Sequence, residues 1–217
     1  ILDLGCGTGR FLLPLIRAKY STVGLDLSLP MLKQCANRIR RLGIESRSRA
    51  KLVRAPFQSF PFSDRFRIIL CTFHGMMHLY THQEVSEFLT AVRNHLQPGG
   101  WFLFDVTQPD LAWLCRDPLG RYSKTRFRHP TTHEWCTYTT NHSYDPVHQI
   151  ACIRLFYQHA QKTDVIHLTQ RQFFPAELEG LLWDHGFQIV RRHGDFDDSP
   201  LDPDSPEQII HAQVRTI

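Results

Sequence analysis

The chain lacks any apolar run approaching the roughly 20 residues that a membrane-spanning helix needs, and no signal peptide is expected. No membrane partner is expected from it. The six cysteines, at 6, 35, 71, 115, 136 and 152, include no C-x-x-C pair, so neither a zinc site nor a disulfide framework is signalled. Buried thiols in a reducing compartment are the expectation, with no metal and a cytoplasmic location. Strong charge of either sign is also missing, since 25 Lys and Arg against 21 Asp and Glu leave a net charge of +4. That bias suits an anionic small molecule but is too weak to argue for nucleic acid, and no stacking platform for single strands is evident.

What is there begins at once. With 217 residues, 42% hydrophobic and 21% charged, the chain is expected to bury one sizeable core, as one domain with an embellishment. Ile1, Leu2 and Leu4 read as the end of a strand buried on both faces. Gly5, Gly7 and Gly9 follow as a tight turn into a helix starting near Arg10. Glycine at these positions permits positive φ and lets a ligand reach bare main chain, where a Cβ would intrude. A dinucleotide fingerprint would set its third glycine three positions after the second. Here the interval is two, and Asp3 stands two positions before the first glycine. A carboxylate there would repel a pyrophosphate and suits a ligand with an ammonium group, which argues against a nicotinamide-dependent reductase.

Asp3-x-Gly5-x-Gly7-x-Gly9 resembles the first motif of the class I S-adenosylmethionine-dependent methyltransferases. The resemblance implies an α/β fold: a Rossmann-like, seven-stranded, mostly parallel sheet with its last strand antiparallel and helices on both faces. It implies S-adenosylmethionine as cofactor, with its methionine moiety and ribose against Gly5, Cys6, Gly7 and Gly9 and its amino group near Asp3. The family usually carries an N-terminal helical segment over the cofactor. This chain opens inside the first strand and so reads as a piece of a longer protein.

The elements expected next follow the same pattern. A helix over about 10–19 leads to a strand over 21–26 that ends in Asp26, 17 residues beyond Gly9. An acid at about that offset reaches ribose hydroxyls in nucleotide-binding α/β folds, and in the resembled family it grips both of them, with Leu27 beside it. A helix over about 30–42, ended by Gly43, precedes a strand over 50–54. The family often carries an acid at the following turn for the adenine amino group; Pro56 stands there, with Phe57 to pack on the ring.

A strand over 66–72 then delivers Phe73 to Leu79 at its carboxyl end, the edge of an open α/β sheet where ligands lie. Thr72 is expected to touch the cofactor. His74 and His78 are candidates to orient or deprotonate a methyl acceptor, because an imidazole near neutrality can take its proton. The helix over about 83–95, the run Gln97-Pro98-Gly99-Gly100 and a strand over 101–106 are a second likeness to the family.

From Thr107 to about Leu168 aromatic-rich alternation, with turn signals at His129-Pro130 and Asp145-Pro146, predicts an inserted antiparallel meander of three or four strands. It resembles the β-sheet lid of some small-molecule methyltransferases; a homodimer surface is the alternative. Its Arg126, Arg128, Tyr138, His142 and Arg154 are candidate contacts for a small-molecule acceptor, with His78 facing them. The expected division is a core of residues 1–106 and 173–217 and an insertion of residues 107–172. A helix over 176–185, a strand over 187–192 and a last strand over 208–214 complete the core. The implied reaction is methyl transfer to N or O of a small molecule, the alternative a binding module without turnover.

Overall fold

The structure is a computed structural model that describes residues 1–56, 60, 62–129, 131–160 and 162–216. It divides into two compact units, one of Ile1–Met76, Thr81–Gln108 and Phe174–Ile217, the other of Met77–Tyr80 and Pro109–Phe173.

The first unit opens with β1 (Leu2–Leu4), α1 (Leu12–Arg17), β2 (Thr22–Asp26) and α2 (Leu29–Arg40). Helix α1 ends earlier than its pattern suggests, where Lys19 turns to φ 69°. Ser28 caps α2, accepting from the Met31 N–H at 3.5 Å, and Pro30 sits in its first turn, where a missing N–H costs nothing. A four-residue α3 (Ile44–Arg47), not foreseen, precedes β3 (Ala50–Arg54) and β4 (Phe66–Cys71). After a 3₁₀ turn over Gly75–His78 comes α4 (His82–His95), closed at its start by a reciprocal capping box of Thr81 and Glu84.

Strand β5 (Leu96–Thr107) is longer than the sequence suggests. Leu96 pairs with Phe66 and Trp101 with Ile68, so the Pro98-Gly99-Gly100 run is a bulge within the pairing instead of a break before it. After the second unit, α6 (Pro175–Asp184), β10 (Phe187–His193) and β11 (Glu207–Val214) return to the same sheet. Its strand order is β10-β11-β5-β4-β1-β2-β3, and β11 alone runs against its neighbours β5 and β10. Leu2, Asp3 and Leu4 are all buried, which a strand achieves only when both faces of its sheet are covered. Leu12, Leu13, Ile16, Cys35 and Ile39 pack together with Leu52 of β3. Phe102 meets Phe88 of α4 and Phe187 of β10, each at 5.9 Å between ring centres.

The second unit contains α5 (Leu111–Leu114) and a four-stranded antiparallel sheet in the order β6 (Tyr122–Arg128), β7 (Trp135–Asp145), β8 (Ile150–His159) and β9 (Lys162–Arg171). Each strand pairs with the next in sequence, a meander.

Candidate functional site

The turn after β1 has Gly5, Gly7 and Gly9 at φ 74°, 52° and 85°. It is tied to β2 by the Gly5 and Cys6 N–H groups, which donate to the Leu25 carbonyl at 2.8 and 3.0 Å. Arg38 of α2 holds its far side, donating from Nη1 to the Thr8 carbonyl at 3.0 Å. The glycines differ in what they are for. A Cβ on Gly9 would fall 2.7 Å from the Cys35 sulfur, so Gly9 is there for packing. Among the described residues, one on Gly7 would meet nothing nearer than the Gly5 oxygen at 3.9 Å, so Gly7 borders space where a ligand can lie on bare peptide.

Two carboxylates stand at this turn. Asp26 ends β2 with Oδ2 accepting from the Gly7 N–H at 2.8 Å and Oδ1 from the Ser28 N–H at 2.7 Å. Each oxygen keeps a lone pair, enough to accept from a pair of hydroxyls. Asp3 is 2% exposed, and burial, with the Asp26 charge adding to it, pushes its carboxyl up to about 7. Such a site repels phosphate and favours a ligand that brings positive charge. The residues present therefore fit a nucleoside with a cationic tail.

Cys6 is expected at the ligand, yet its thiol turns into the core. It hydrogen-bonds with Cys35, and that bond together with burial raises its pKa. What Cys6 offers the open face is backbone. Leu27 is exposed, and its carbonyl accepts from Arg54 Nε at 3.1 Å. Thr72 follows the last residue of β4. Phe57 lies outside the described residues.

His74 and His78, four apart in sequence, fall into different units. His78 Nδ1 lies 3.4 Å from the Tyr80 hydroxyl, which in turn donates to the Thr169 carbonyl. His74 keeps other company. Phe73 and His74 both have left-handed backbone, at φ 55° and 59°, a conformation costing about 1–2 kcal/mol each for residues with a Cβ. Asp105, 3% exposed near the end of β5, offsets that cost by accepting both their N–H groups at 2.9 Å. The His74 Nε2 in turn lies 2.9 and 3.0 Å from the carboxylate oxygens of Glu207, the first residue of β11. Hydrogen bonding to Glu207 raises the His74 pKa, against the effect of burial. The donor atoms of His74, Asp105 and Glu207 lie within 4.8 Å of one another, near enough to share a proton or a cation. Nothing in the sequence spacing ties Asp105 or Glu207 to His74. The one local signal is an acid at the rim end of each strand, Asp105 two residues before the end of β5 and Glu207 at the start of β11.

In the second unit Arg126 lies over the Trp135 ring at 4.6 Å, and the Tyr138 and Tyr157 rings are 5.2 Å apart. Burial, with Tyr157 adding to it, raises the Tyr138 pKa. Two other expected contacts serve the sheet itself. His142 donates from Nε2 to the Trp113 carbonyl at 2.6 Å, and Arg154 donates from Nε to Asn141 Oδ1 at 2.6 Å.

Residues 1–100 match the family model described as a methyltransferase domain. Across nearly the whole chain, the YqeM protein of Bacillus subtilis (strain 168) is 25% identical over 221 residues, 98% of this chain and 83% of the relative. A dTDP-3-amino-3,4,6-trideoxy-alpha-D-glucopyranose N,N-dimethyltransferase of Streptomyces venezuelae is 28% identical over 131 residues, 58% of this chain and 51% of that protein. The solved structure of the CcbJ methyltransferase from Streptomyces caelestis superposes with a TM-score of 0.84 at 21% identity, covering 99% of this chain and 88% of that one. At that identity it speaks for the fold. Among the described residues, no helix is long and apolar enough to cross a membrane.

Proposed function

We propose, from the match of residues 1–100 to the methyltransferase-domain family model, that the protein is a class I S-adenosylmethionine-dependent methyltransferase that methylates a nitrogen or oxygen of a small-molecule acceptor. One observation carries the reading: the Asp26 carboxylate is turned onto the Gly7 N–H, beside open space over bare peptide.

The residues that would hold the cofactor follow from this. Asp26 would take the ribose hydroxyls, the Gly5–Gly9 backbone would hold the sugar and methionine moiety, and Asp3 would answer the ammonium group. Leu27 and Thr72 flank them. When bound, the cofactor supplies a sulfonium methyl group, an electron-poor carbon with a neutral thioether as leaving group. The chain's own part is to position, to exclude water and to handle a proton, so few indispensable side chains are needed. In the first unit His74 is the candidate for the proton; His78, Arg126 and Tyr138, which belong to the second unit, are candidates on the sequence pattern alone. Nitrogen as the accepting atom is favoured by the name of the Streptomyces venezuelae relative. Pro56, where the resembled family often carries an acid, favours the second reading, a module that binds without turnover.

Calorimetric titration with S-adenosylmethionine tests the first half. Incubation with a panel of amino sugars and phenols, followed by mass spectrometry for a gain of one CH2, tests the second. Saturable binding with a methylated product supports the proposal; no binding overturns it, and binding without any product leaves the module.

A further inference from the structure

His74, Asp105 and Glu207 are remote in sequence, with 31 positions between the first two and 133 between His74 and Glu207. Their meeting depends on topology. Parallel strands β4 and β5 end at one rim of the sheet, and the reversed β11 begins there, Glu207 pairing with Thr107. His74 Nε2 faces the two Glu207 oxygens at 2.9 and 3.0 Å and Asp105 Oδ2 at 3.7 Å. A ring nitrogen facing two carboxylates carries the proton, so the neutral imidazole is the Nε2–H tautomer with its lone pair on Nδ1. The His74 side chain is 30% exposed, against 4% for Asp105 and 17% for Glu207. The acids are sunk and the imidazole stands above them, on a left-handed backbone that Asp105 clamps.

We propose that His74 Nδ1 is the general base of the methyl transfer, with Glu207 as the positioning residue that fixes its tautomer and Asp105 as the one that fixes its backbone. This rests on the methyl-transfer reading above and adds an acceptor class to it: an amine or hydroxyl whose nucleophilic atom still carries a proton. As that nitrogen or oxygen forms its bond to the methyl carbon, the carbon–sulfur bond breaks with its electron pair left on sulfur, and the acceptor's proton passes to Nδ1. Glu207 compensates the charge the ring acquires.

Among the described residues, the titratable groups facing the ring are Glu207 from β11 and Asp105 from β5. Arg10 lies over the Phe73 ring, 4.3 Å from its centre. A base works when neutral, so the rate rises with pH through the His74 pKa. Hydrogen bonding to Glu207 sets that limb above the ordinary imidazole value. Glu207→Gln therefore moves the acid limb to lower pH and lowers the plateau, because an amide no longer holds one tautomer.

The test uses the full chain, S-adenosylmethionine and dTDP-3-amino-3,4,6-trideoxyglucose as the amine probe, with the imidazole tautomer read by nitrogen-15 NMR. The proposal expects a Nε2–H tautomer in the wild type and a downward shift of both the His74 titration and the rate profile in Glu207→Gln. It also expects about a 10²–10⁴-fold rate loss in His74→Gln with cofactor affinity unchanged. A Nδ1–H tautomer, an unmoved rate profile in Glu207→Gln, or a fully active His74→Gln would overturn it while leaving methyl transfer intact. So would a rate abolished by chelators, which would put a cation where the proton is placed. Absence of transfer to this probe and to every acceptor in the panel, despite cofactor binding, would instead remove the methyl-transfer reading and the base role with it.

Discussion

Replacing Asp3 by asparagine should make the ligand-free protein more stable and its cofactor complex weaker. Asp3 is buried in β1, and desolvation with the nearby Asp26 charge raises its carboxyl from 3.8 to about 7. A folded-state pKa above the unfolded one means that the neutral acid is the form the fold prefers. Its contribution is intact below the unfolded pKa and is lost as pH rises through about 7. The shift of about 3 units corresponds to about 4 kcal/mol once the group is fully ionised, and to less than half of that near pH 5. Relaxation around the charge reduces this, so about 2–4 kcal/mol is expected from Asp3→Asn near pH 8. For a chain of this size that raises Tm by roughly 4–16 °C, with a much smaller gain near pH 5. Thermal unfolding of both proteins from about pH 5 to about pH 8.5, with and without S-adenosylmethionine, reads the effect directly. The cofactor should raise the wild-type Tm more than that of the variant, because its ammonium group stabilises the ionised Asp3. A variant whose Tm differs from wild type by the same amount at every pH, or that is less stable near pH 8, would refute the reasoning.

The neighbouring glycines should separate packing from ligand approach. Gly7→Ala has room for its Cβ and should cost only about 1–2 kcal/mol for its left-handed φ while abolishing cofactor binding by calorimetry. Gly9→Ala adds a contact at 2.7 Å with the Cys35 sulfur and should lose more stability, by about 1–3 kcal/mol, in urea unfolding. Asp26→Asn should weaken cofactor binding by about 10- to 100-fold, as expected for hydrogen bonds from hydroxyls to a charged acceptor worth about 1.5–3 kcal/mol. Thr81→Ala removes the capping box of α4 and should cost about 1 kcal/mol without changing cofactor affinity.

The parallel core was legible because buried strands write themselves as apolar runs: β3 has the bounds its pattern suggests, and β1, β2 and β4 differ by a residue or two. The glycine turn and Asp26 were legible for a related reason, since local backbone demands leave their mark on adjacent residues. The misses are where tertiary pairing overrides local signals. Pro98-Gly99-Gly100 reads as a stop, yet β4 holds it inside β5 as a bulge. Strand β9 has the polar, weakly alternating text Lys162-Thr163-Asp164-Val165-Ile166-His167 and is drawn out by ten pairings to β8. The helices α3 and α5, of four residues each, are too short to show a period. The meeting of His74 with Glu207 was hidden because it is a property of strand order, and no spacing in the chain encodes that order.

The reversal of β11 has a further consequence for engineering and for divergence. In a sheet of parallel strands every segment offers its final residues to one rim, so a site there draws only on what comes after each strand. A single strand laid the other way contributes its opening residue instead, and the loop from Gly194 to Pro206 becomes the tether that sets how far Glu207 reaches. Lengthening or shortening that tether would retune the imidazole without touching the glycine turn, giving the two clusters a means of drifting independently.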